Sequence, residues 1–503
     1  MTKTANVKIF DFTGGLNTKS PVTALKLNEA SDLQNINILP SGGFEKRRGN
    51  LLFNATAMNS GANVQGLGYY RQSGGIDYLV TICGAKGYKS DSLDGTMDDI
   101  TGAVTITAGK DNIWTHSQIN DLSIFVGGPT SPDAPIKWNG TGNMAVLGGS
   151  PPSGSFGLTA NNRMFIGSPN ANPSRIYWSV LGNPEDWSGT GSGTQDVGLN
   201  DGDTLVGGAT IGTDTILLFK QNSIWTLAVR SAPFPLYGPV FRDVGAISKR
   251  SIVYVDGVIY FITSEPRMKA TDGTTIIDFP DTIDTVWDSL NLSRLKYCHG
   301  IHNRRLNQIQ WFVSSSGATT NDLCLIWDLK RKCWLRHTSG QNMNTSVIAQ
   351  DRSIYGGGYD GKIYKFDSTG KYSDDSSGGA AIDSFWRTGW MDYEDMLTPK
   401  YINYVDLSYT TQIYGNGIFT TGYNFNIDRN IQEFSLTSNG GTWDTDFWDF
   451  MIWGNISDSS TLLFVNGNGK YIQHKIQNKN NNESFSFNGF AQSVNFAGTA
   501  KLG

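Results

Sequence analysis

Short apolar runs recur along most of this chain and limit what it can fold into. Successive runs begin 40 to 51 residues apart. A single two-stranded unit of this kind is marginally stable in water, so it must stack on copies of itself. Four-stranded propeller blades repeat at roughly 40 to 50 residues, so the spacing predicts an all-β chain with a β-propeller of about six or seven blades. The runs begin near Ile76, Leu122, Asn162, Thr213, Asp256, Leu306 and Asp351.

The last of these runs carries the clearest turn signal. Ser353 to Asp367 places two short apolar runs on either side of Asp360-Gly361. That dipeptide suits a two-residue type I′ turn, in which both central residues have positive φ. The register that follows sets Tyr355 opposite Phe366. One face of the predicted hairpin is therefore aromatic, and we expect another sheet to cover it.

Composition agrees with an all-β protein and bears on its partners. The 503 residues include 59 glycines, 12% aromatic residues and 17% charged residues, a mixture typical of short strands joined by glycine-rich turns. The formal net charge of −5 predicts no bulk attraction to nucleic acid or to an anionic membrane. The N-terminus carries no apolar signal sequence, so we expect a soluble chain made in the cytoplasm.

The first 64 residues differ from the repeats. Asn28 to Asn35 begins with a polar residue that suits a helix N-cap, which predicts a short helical turn. Ile36 to Leu39 and Phe44 to Arg48 then flank Pro40 to Gly43, which predicts a hairpin. We expect this N-terminal segment, residues 1–64, to pack on the propeller or on a neighbouring subunit.

The C-terminal part of the chain also leaves the repeat. We place the propeller at residues 65–393 and a separate domain at residues 394–503. Tyr401 to Tyr409 alternates polar and apolar residues, as a half-buried antiparallel strand does. At least three more strand-like runs follow, so the sequence predicts an antiparallel, β-sandwich-like platform domain beside the propeller.

Known catalytic motifs are matched only in part. Gly356 to Ile363 resembles a P-loop, but Ile363 replaces the Ser or Thr that would bind magnesium, and the stretch lies within a predicted hairpin. Ser179 to Trp187 lacks the full turn motif of sialidase blades, although a carboxylate pair formed in space would be invisible in the sequence. We therefore predict that the chain is not an enzyme and needs no cofactor.

Histidines and cysteines raise the question of a zinc site, with His302 and His337 among the candidates. Zinc needs four convergent ligands, usually in closely spaced pairs. Cys298 and His299 are adjacent on a predicted strand and would point to opposite faces, so we predict no metal site. A turn at Asp328-Leu329 would set Cys324 opposite Cys333, and we expect reduced thiols at both positions.

Two groups of side chains are candidates for contacts with partners. Four tryptophans could stack on a glycan or anchor a subunit interface, and packing or subunit contact is the favoured interpretation. They are Trp386, Trp390, Trp443 and Trp448. A basic run could touch DNA phosphates, although three cations on a hairpin more often form a solvated face or an interface rim. Its members are Lys46, Arg47 and Arg48.

Several passages resemble one protein family. The succession of Phe12 to Asn17, Asn28 to Asn35 and Gly43 to Gly49 is similar to the opening of the tail hub or tail nozzle proteins of short-tailed bacteriophages, the tail tubular protein B type. Arg175 to Trp187 looks like a blade segment of that family, and two runs within Gly469 to Phe490 resemble its closing strands. The likeness touches both ends and the middle of the chain.

This resemblance implies a structural virion protein. It implies a homohexameric ring that forms the distal tail tube, with a portal adaptor ring above it, tail fibres or spikes alongside, and viral DNA that crosses the lumen without sequence-specific binding. Loops would close the channel until DNA ejection into the host, and Thr141 to Gly157 and Ser188 to Gly202 are the candidates. The chain would be assembled in the host cytoplasm and would reside in the phage tail. The alternative function is a lectin-like propeller that binds host surface polysaccharide.

Overall fold

The computed structural model describes residues 4–128, 130–412, 415–437 and 458–497. Nearly all regular structure in these ranges is β-sheet. The described residues contain no helix that is long and apolar enough to cross a membrane. Six short strands come first along the chain: Thr4–Ile9 (β1), Gly15–Leu16 (β2), Glu29–Gln34 (β3), Ile36–Ile38 (β4), Phe44–Lys46 (β5) and Leu51–Leu52 (β6).

Three four-stranded antiparallel blades follow a 3₁₀-helix at Met58–Gly61. Blade one contains Val64–Arg71 (β7), Asp77–Cys83 (β8), Lys86–Asp91 (β9) and Asp98–Asp99 (β10). Blade two contains Trp114–Ile119 (β11), Leu122–Gly127 (β12), Ile136–Trp138 (β13) and Ala145–Val146 (β14). Blade three contains Gly154–Ala160 (β15), Arg163–Pro169 (β16), Arg175–Trp178 (β17) and Gly193–Asp196 (β18).

The next three blades repeat the same strand order. Blade four contains Leu205–Ile211 (β19), Thr215–Lys220 (β20), Ser223–Ala228 (β21) and Leu236–Arg242 (β22). Blade five contains Val253–Val255 (β23), Val258–Ile262 (β24), Met268–Thr271 (β25) and Ile276–Asp278 (β26). A short helix, Asp284–Asp288 (α1), and a 3₁₀-helix, Leu292–Tyr297, lead to blade six. Blade six contains His299–Asn303 (β27), Gln308–Val313 (β28), Leu323–Asp328 (β29) and Cys333–His337 (β30).

The seventh blade closes the ring with a strand from the N-terminal segment. Its own strands are Met343–Ile348 (β31), Ile354–Gly358 (β32) and Ile363–Lys365 (β33). The fourth strand is β6, in which Leu52 pairs with Tyr364. The first strands of successive blades contact one another around the ring, and β31 returns to contact β7. The predicted propeller is confirmed with seven blades, and each recurring sequence run starts at or just before the second strand of a blade.

Glycines let neighbouring blades approach closely. A Cβ atom on Gly68 of blade one would lie 2.4 Å from the ring of His116 in blade two. A Cβ atom on Gly357 of blade seven would lie 2.3 Å from the side chain of Val64 in blade one. Because real Cβ atoms do not approach other atoms so closely, a larger residue at either position would push two blades apart.

The hairpin of blade seven forms with a longer turn than predicted. The amide of Gly358 donates to the carbonyl of Lys362 at 2.8 Å, which leaves a three-residue loop. Only Gly361 in that loop has a positive φ, of 73°, as a type I turn with a following bulge requires. The type I′ prediction is therefore wrong. The register moves by one residue, and Tyr355 does not pair with Phe366 as predicted.

The cysteine hairpin of blade six is also shifted from its predicted register. Cys324 pairs with His337, and Cys333 pairs with Asp328, because the loop after Asp328 is longer than the predicted turn. The four cysteines at positions 83, 298, 324 and 333 are all buried and free. Burial raises the pKa of the Cys333 thiol to about 12, so this thiol is protonated at neutral pH.

Ten further strands are described after blade seven. They are Ser373–Asp374 (β34), Ala380–Ala381 (β35), Ser384–Thr388 (β36), Lys400–Thr410 (β37), Asn416–Tyr423 (β38), Asn426–Ser435 (β39), Asp458–Phe464 (β40), Asn468–Gly469 (β41), Ile472–Asn478 (β42) and Ser486–Phe496 (β43). A 3₁₀-helix, Asp375–Ser377, links β34 to β35.

A β-sandwich is built from both ends of the chain. Its first sheet has the order β4-β5-β43-β37-β40, with β1 paired to β43 and β41 to β37. Its second sheet has the order β2-β3-β36-β42-β38-β39. The predicted hairpin of β4 and β5 is present. The predicted helical turn at Asn28 to Asn35 is wrong, because that stretch forms β3, which pairs with β36.

The sandwich covers the outer edge of blade six and shares a core with it. The amide of Asn35 donates to the carbonyl of Arg336 on β30 at 2.9 Å. One cluster of buried side chains runs from Phe12 and Trp386 in the sandwich to Trp311 and Trp334 in blade six. An uncovered outer strand would expose unpaired backbone groups. The sandwich therefore packs on the propeller as part of one core.

Candidate functional site

The basic run Lys46 to Arg48, a candidate for DNA contact, makes its contacts within the chain. The Arg47 guanidinium pairs with both carboxylate oxygens of Asp374, at 3.0 Å from Nη1 and 2.5 Å from Nη2. The two side chains are only 3% and 0% exposed. Arg47 Nε also donates to Asn35 Oδ1 at 3.2 Å. Arg47 therefore fastens the N-terminal hairpin to the segment after blade seven and is not available to DNA.

The other two members of the run differ in exposure. Lys46 is buried, and its Nζ donates to Asn478 Oδ1 at 2.7 Å and to Asn480 O at 2.9 Å. Burial lowers the pKa of Lys46 to about 8. Arg48 is only partly buried, and its Nη1 reaches Thr369 Oγ1 at 3.3 Å on the border of an open cleft of about 560 Å³. Of the three cations, only Arg48 approaches solvent.

The described tryptophans of the predicted contact set are packed inside the protein. Trp386 is fully buried, with its ring centroid 5.0 Å from that of Phe12 and 6.1 Å from that of Phe44. Trp390 is 5% exposed and packs on Phe425 at 5.1 Å. Trp386 therefore offers no free face on which a sugar could stack, and Trp390 is nearly covered at the wall of a cavity of about 370 Å³. Trp443 and Trp448 lie outside the described residues.

The histidines and cysteines that were considered as zinc ligands are spread over the fold. The described residues contain no group of three or more His, Cys, Asp and Glu side chains that could hold a metal ion. His299 stacks on Phe312 at 4.6 Å, and its Nε2 lies 2.9 Å from Ser346 Oγ. His337 Nε2 lies 3.2 Å from the carbonyl of Ile36. Burial lowers the pKa of His337 to about 3, so it helps to join sandwich and propeller as a neutral ring.

The two candidate gating stretches belong to blades two and three. Thr141 to Gly157 contains the outer strand of blade two and runs into the first strand of blade three. Ser188 to Gly202 contains β18, the outer strand of blade three, which pairs with β17. Both stretches therefore lie partly in the blades themselves.

Exposed apolar side chains identify a candidate assembly surface on the first sheet of the sandwich. Tyr404 and Phe464 sit opposite each other on β37 and β40, and Phe464 is 68% exposed. Leu462 lies two residues before Phe464 and is also exposed. Leu463, which lies between these two residues, and its partner Val405 on β37 point into the core. We call Tyr404, Leu462 and Phe464 the first-sheet patch. Asp406 and Asp458 are exposed beside it.

A second apolar surface lies along β39, the edge strand of the second sheet. Ile431 is 61% exposed and pairs with Thr420, on the face that points away from the first sheet. Phe425 and Ile427 are exposed in the preceding turn and at the start of the strand. We call Phe425, Ile427 and Ile431 the second-sheet patch. Arg387 and Asp428 form an ion pair at 3.3 Å on this sheet, so the two patches differ in their surroundings.

The sequence contains a signal for the first-sheet patch that the alternation of β37 does not give. The run Thr461 to Val465 is nearly continuous in apolar residues. On an edge strand with one face in the core, a continuous apolar run means that the outer face is apolar too. The tryptophans are the more conspicuous interface signal in the sequence, because aromatic anchors are the usual mark of an interface.

Comparisons with known proteins give likeness of fold only. No protein-family model and no curated protein matches the chain. Similar solved structures include the computationally designed Ika8 protein, at 10% identity, covering 62% of this chain and 98% of that one, with a TM-score of 0.36. YCF48 bound to D1 peptide shares 11% identity over 63% of this chain and 97% of that one, with a TM-score of 0.41. YCF48 from Cyanidioschyzon merolae shares 10% identity over 61% of this chain and 96% of that one, also at 0.41.

Proposed function

We propose that this chain is a structural subunit of the distal tail tube, or nozzle, of a short-tailed bacteriophage, and that copies of it associate as a ring. Support comes first from where the family-like passages lie in the fold. The N-terminal passages supply β2, β3 and β5, and the C-terminal runs supply β42 and the start of β43. Phe44 of β5 pairs directly with Phe487 of β43. The N-terminal and C-terminal passages that resemble the family thus form one sandwich, while Arg175 to Trp187 lies in blade three.

The observation that carries the proposal is the pair of unlike apolar patches on this sandwich. A ring made of identical subunits needs a heterologous interface, in which one surface of a subunit binds a different surface of its neighbour. The first-sheet patch and the second-sheet patch lie on different sheets and have different surroundings. Exposed apolar clusters usually mark interaction sites, and a second copy of this chain is the proposed occupant.

The shared core and the net charge are both compatible with this role. Because one buried cluster joins sandwich and propeller, the subunit can act as a rigid wedge in a tube. The formal net charge of −5 suits a lumen through which DNA slides, since strong phosphate binding would hold the strand. In this proposal an adaptor ring lies above the tube and fibres or spikes lie alongside it.

The test is to place a stop codon at Trp114 in the genome that encodes the chain and to image the particles. We expect particles that lack the tail tip and have lost their DNA. A host that inserts tryptophan at this codon is the control and should restore complete, filled particles. Complete particles that retain DNA and merely fail to adsorb would overturn the structural role and favour the polysaccharide-binding alternative.

A further inference from the structure

A lysine, an asparagine and a glutamate meet between the two sheets of the sandwich. Lys46 ends β5 of the first sheet, and Asn478 ends β42 of the second sheet. Glu483 follows Asn478 in the loop that leads to β43. Lys46 is 1% exposed and Asn478 is 0% exposed. The amine and the side-chain amide are therefore closed to solvent and face each other from different sheets.

The amine lies within reach of the amide carbon. Lys46 Nζ is 2.7 Å from Asn478 Oδ1. Because a carbonyl bond is about 1.2 Å long, Nζ can be no more than about 3.9 Å from Asn478 Cγ. Reacting atoms are poised at about 3–3.5 Å, so a small shift of the lysine side chain is enough. Nζ also donates to the carbonyl of Asn480 at 2.9 Å, which holds the amine in place.

A carboxylate touches the other end of the same amide. Glu483 Oε2 accepts a hydrogen bond from Asn478 Nδ2 at 3.2 Å and one from the backbone amide of Asn416 at 3.1 Å. Asn478 Nδ2 also donates to the carbonyl of Asn416 at 2.8 Å. The asparagine amide is thus held with Oδ1 toward the amine and Nδ2 toward the carboxylate. A group that can carry a proton therefore contacts the nitrogen that would leave if the amide were attacked.

Burial prepares the lysine as a nucleophile. Phe44 lies on the same face of β5 as Lys46, and the backbone amide of Lys46 donates to the carbonyl of Phe485 at 2.8 Å. Both phenylalanines are buried. An ammonium ion is unfavourable in such surroundings, and burial lowers the pKa of Lys46 to about 8. A share of the side chain is therefore the neutral, nucleophilic amine near neutral pH, and an amide at Nζ would remove the buried charge altogether.

We propose that Lys46 and Asn478 join through an intramolecular isopeptide bond, in a transamidation that the chain performs on itself with Glu483 as the proton carrier. Neutral Nζ attacks Cγ of Asn478, and the bond between Cγ and Nδ2 breaks. Nζ gives up one proton, Glu483 passes a proton to Nδ2, and Nδ2 leaves as ammonia. The products are one secondary amide and one ammonia molecule, and no oxidant or reductant takes part.

The bond would fasten the two ends of the chain to each other. Lys46 and Asn478 are 432 residues apart, and all seven blades lie between them. Closing so long a loop covalently restricts the unfolded chain strongly, as a disulfide does. Until the bond forms, Lys46 keeps a titratable amine, so the effect of that amine on stability belongs to the unlinked chain. The bond is independent of the proposed ring-subunit role and goes beyond it.

The first measurement is the mass of the full chain, purified, held at pH 8 and then unfolded. We expect this mass to be lower than that of the unlinked sequence by one ammonia molecule. Trypsin does not cleave after a linked lysine, so digestion should give a branched peptide that joins residues 27–47 to residues 476–479. An unchanged mass would overturn the proposal. A loss of ammonia without the branched peptide would also overturn it, because succinimide formation at an Asn-Gly pair such as Asn139-Gly140 releases ammonia too.

Variants at Glu483 separate a part in the reaction from a structural role. Glu483→Gln keeps the size of the side chain but cannot carry the proton, so the folded variant should form the bond at least about a hundredfold more slowly. Glu483→Asp keeps the carboxylate on a shorter stem and should be slower by at least about tenfold. Glu433→Gln, at an exposed position on β39, is the matched control and should link at the wild-type rate. Linkage of Glu483→Gln at that same rate would overturn the role of Glu483.

Discussion

The propeller and the sandwich are built by opposite rules. In blades one to six, every strand pairs with its neighbour in sequence, so each blade is complete within one stretch of chain. The sandwich also contains local pairs, but its sheets are completed by strands from the far ends of the chain, as where Thr4 pairs with Asn495. Local pairing closes short loops, whereas the sandwich must close almost the whole chain at a larger entropic cost. The blades can therefore form locally, and the sandwich depends on everything between its strands being folded.

Blade seven is where the two rules meet. Its outer strand, Leu51–Leu52, comes from the same N-terminal segment that supplies β2 to β5 of the sandwich. Arg47, between β5 and β6, binds Asp374 just after the blade. The closure of the propeller and the attachment of the sandwich therefore share one short stretch of backbone. Substitutions in that stretch should be more damaging than similar substitutions elsewhere.

The largest effect should follow from removing the buried ion pair at this junction. Arg47→Ala leaves the Asp374 carboxylate buried without its cation, which typically costs about 3–5 kcal/mol. We expect a lower urea midpoint and faster hydrogen exchange at the Asn35 amide, which donates across the junction. Arg48→Ala is the matched control, because its guanidinium makes a weaker contact near solvent, and it should cost at most about 1 kcal/mol. Equal losses in the two variants would show that the ion pair does not join the two regions.

The buried lysine beside that pair should make stability depend on pH. The folded-state pKa of Lys46 is about 8, below the 10.5 of an ordinary lysine. Between these two values the unfolded chain binds more protons, so the free energy of unfolding rises with pH in this window. The cost of burying the charged Lys46 ammonium is fully present below pH 8. Its loss at high pH raises the free energy of unfolding by at most about 3 kcal/mol.

The comparison that isolates this effect is between the wild type and Lys46→Met. The unfolding midpoints of both proteins are measured at pH 7 and at pH 10. The midpoint of the wild type, relative to that of Lys46→Met, should be higher at pH 10 than at pH 7. Lys8→Met, at an exposed position on β1, is the matched control and should show no such change. If the midpoint difference between the wild type and Lys46→Met stays constant with pH, or favours the variant more at pH 10, the lowered pKa of Lys46 is contradicted.

The same contrast explains how much of the fold could be predicted from the sequence. Each recurring apolar run marks the second strand of a blade, because those strands are buried and their spacing is fixed by the blade. The pairing of β1 with β43 leaves no local signal, since both strands read as ordinary alternating segments. The stretch Asn28 to Asn35 has capping residues that suit a helix, but pairing with β36 overrides that local preference.

The register of a hairpin could not be predicted from the sequence, because it depends on the length of the turn. The Asp360-Gly361 signal placed the hairpin of blade seven correctly, but a two-residue and a three-residue loop both accept glycine at the position with positive φ. For the candidate site, burial decided the outcome. Lys46, Arg47, Trp386 and Trp390 carry the residue types of binding surfaces, yet the sandwich that buries them is made of segments that the sequence could not bring together.

A smaller loss of stability should come from the turn that packs the N-terminal segment on blade seven. Gly361 has a φ of 73°, and a Cβ atom there would lie 2.5 Å from the carbonyl of Met58. Gly361→Ala should cost about 2–4 kcal/mol, from the left-handed conformation and the close contact together. Gly75→Ala, where φ is 87° and the surroundings are open, should cost about 1–2 kcal/mol. Similar thermal midpoints for the two variants would show that the contact with Met58 does not tighten the closure.

The smallest effect on folding should come with the largest effect on assembly, at the first-sheet patch. Phe464 is 68% exposed, so Phe464→Asp should change the free energy of unfolding by at most about 0.5 kcal/mol. If a neighbouring subunit covers this patch, a buried, unpaired carboxylate would block ring closure. Plasmid-encoded Phe464→Asp should then fail to rescue the particles made by the Trp114 stop-codon phage. Ile277→Asp, at an exposed apolar position on the outer strand of blade five, should rescue them. Equal rescue by Phe464→Asp and Ile277→Asp would show that the first-sheet patch is not part of the interface. A folded subunit with a charged patch would then assemble as well as one without it, and other surfaces would hold the ring together.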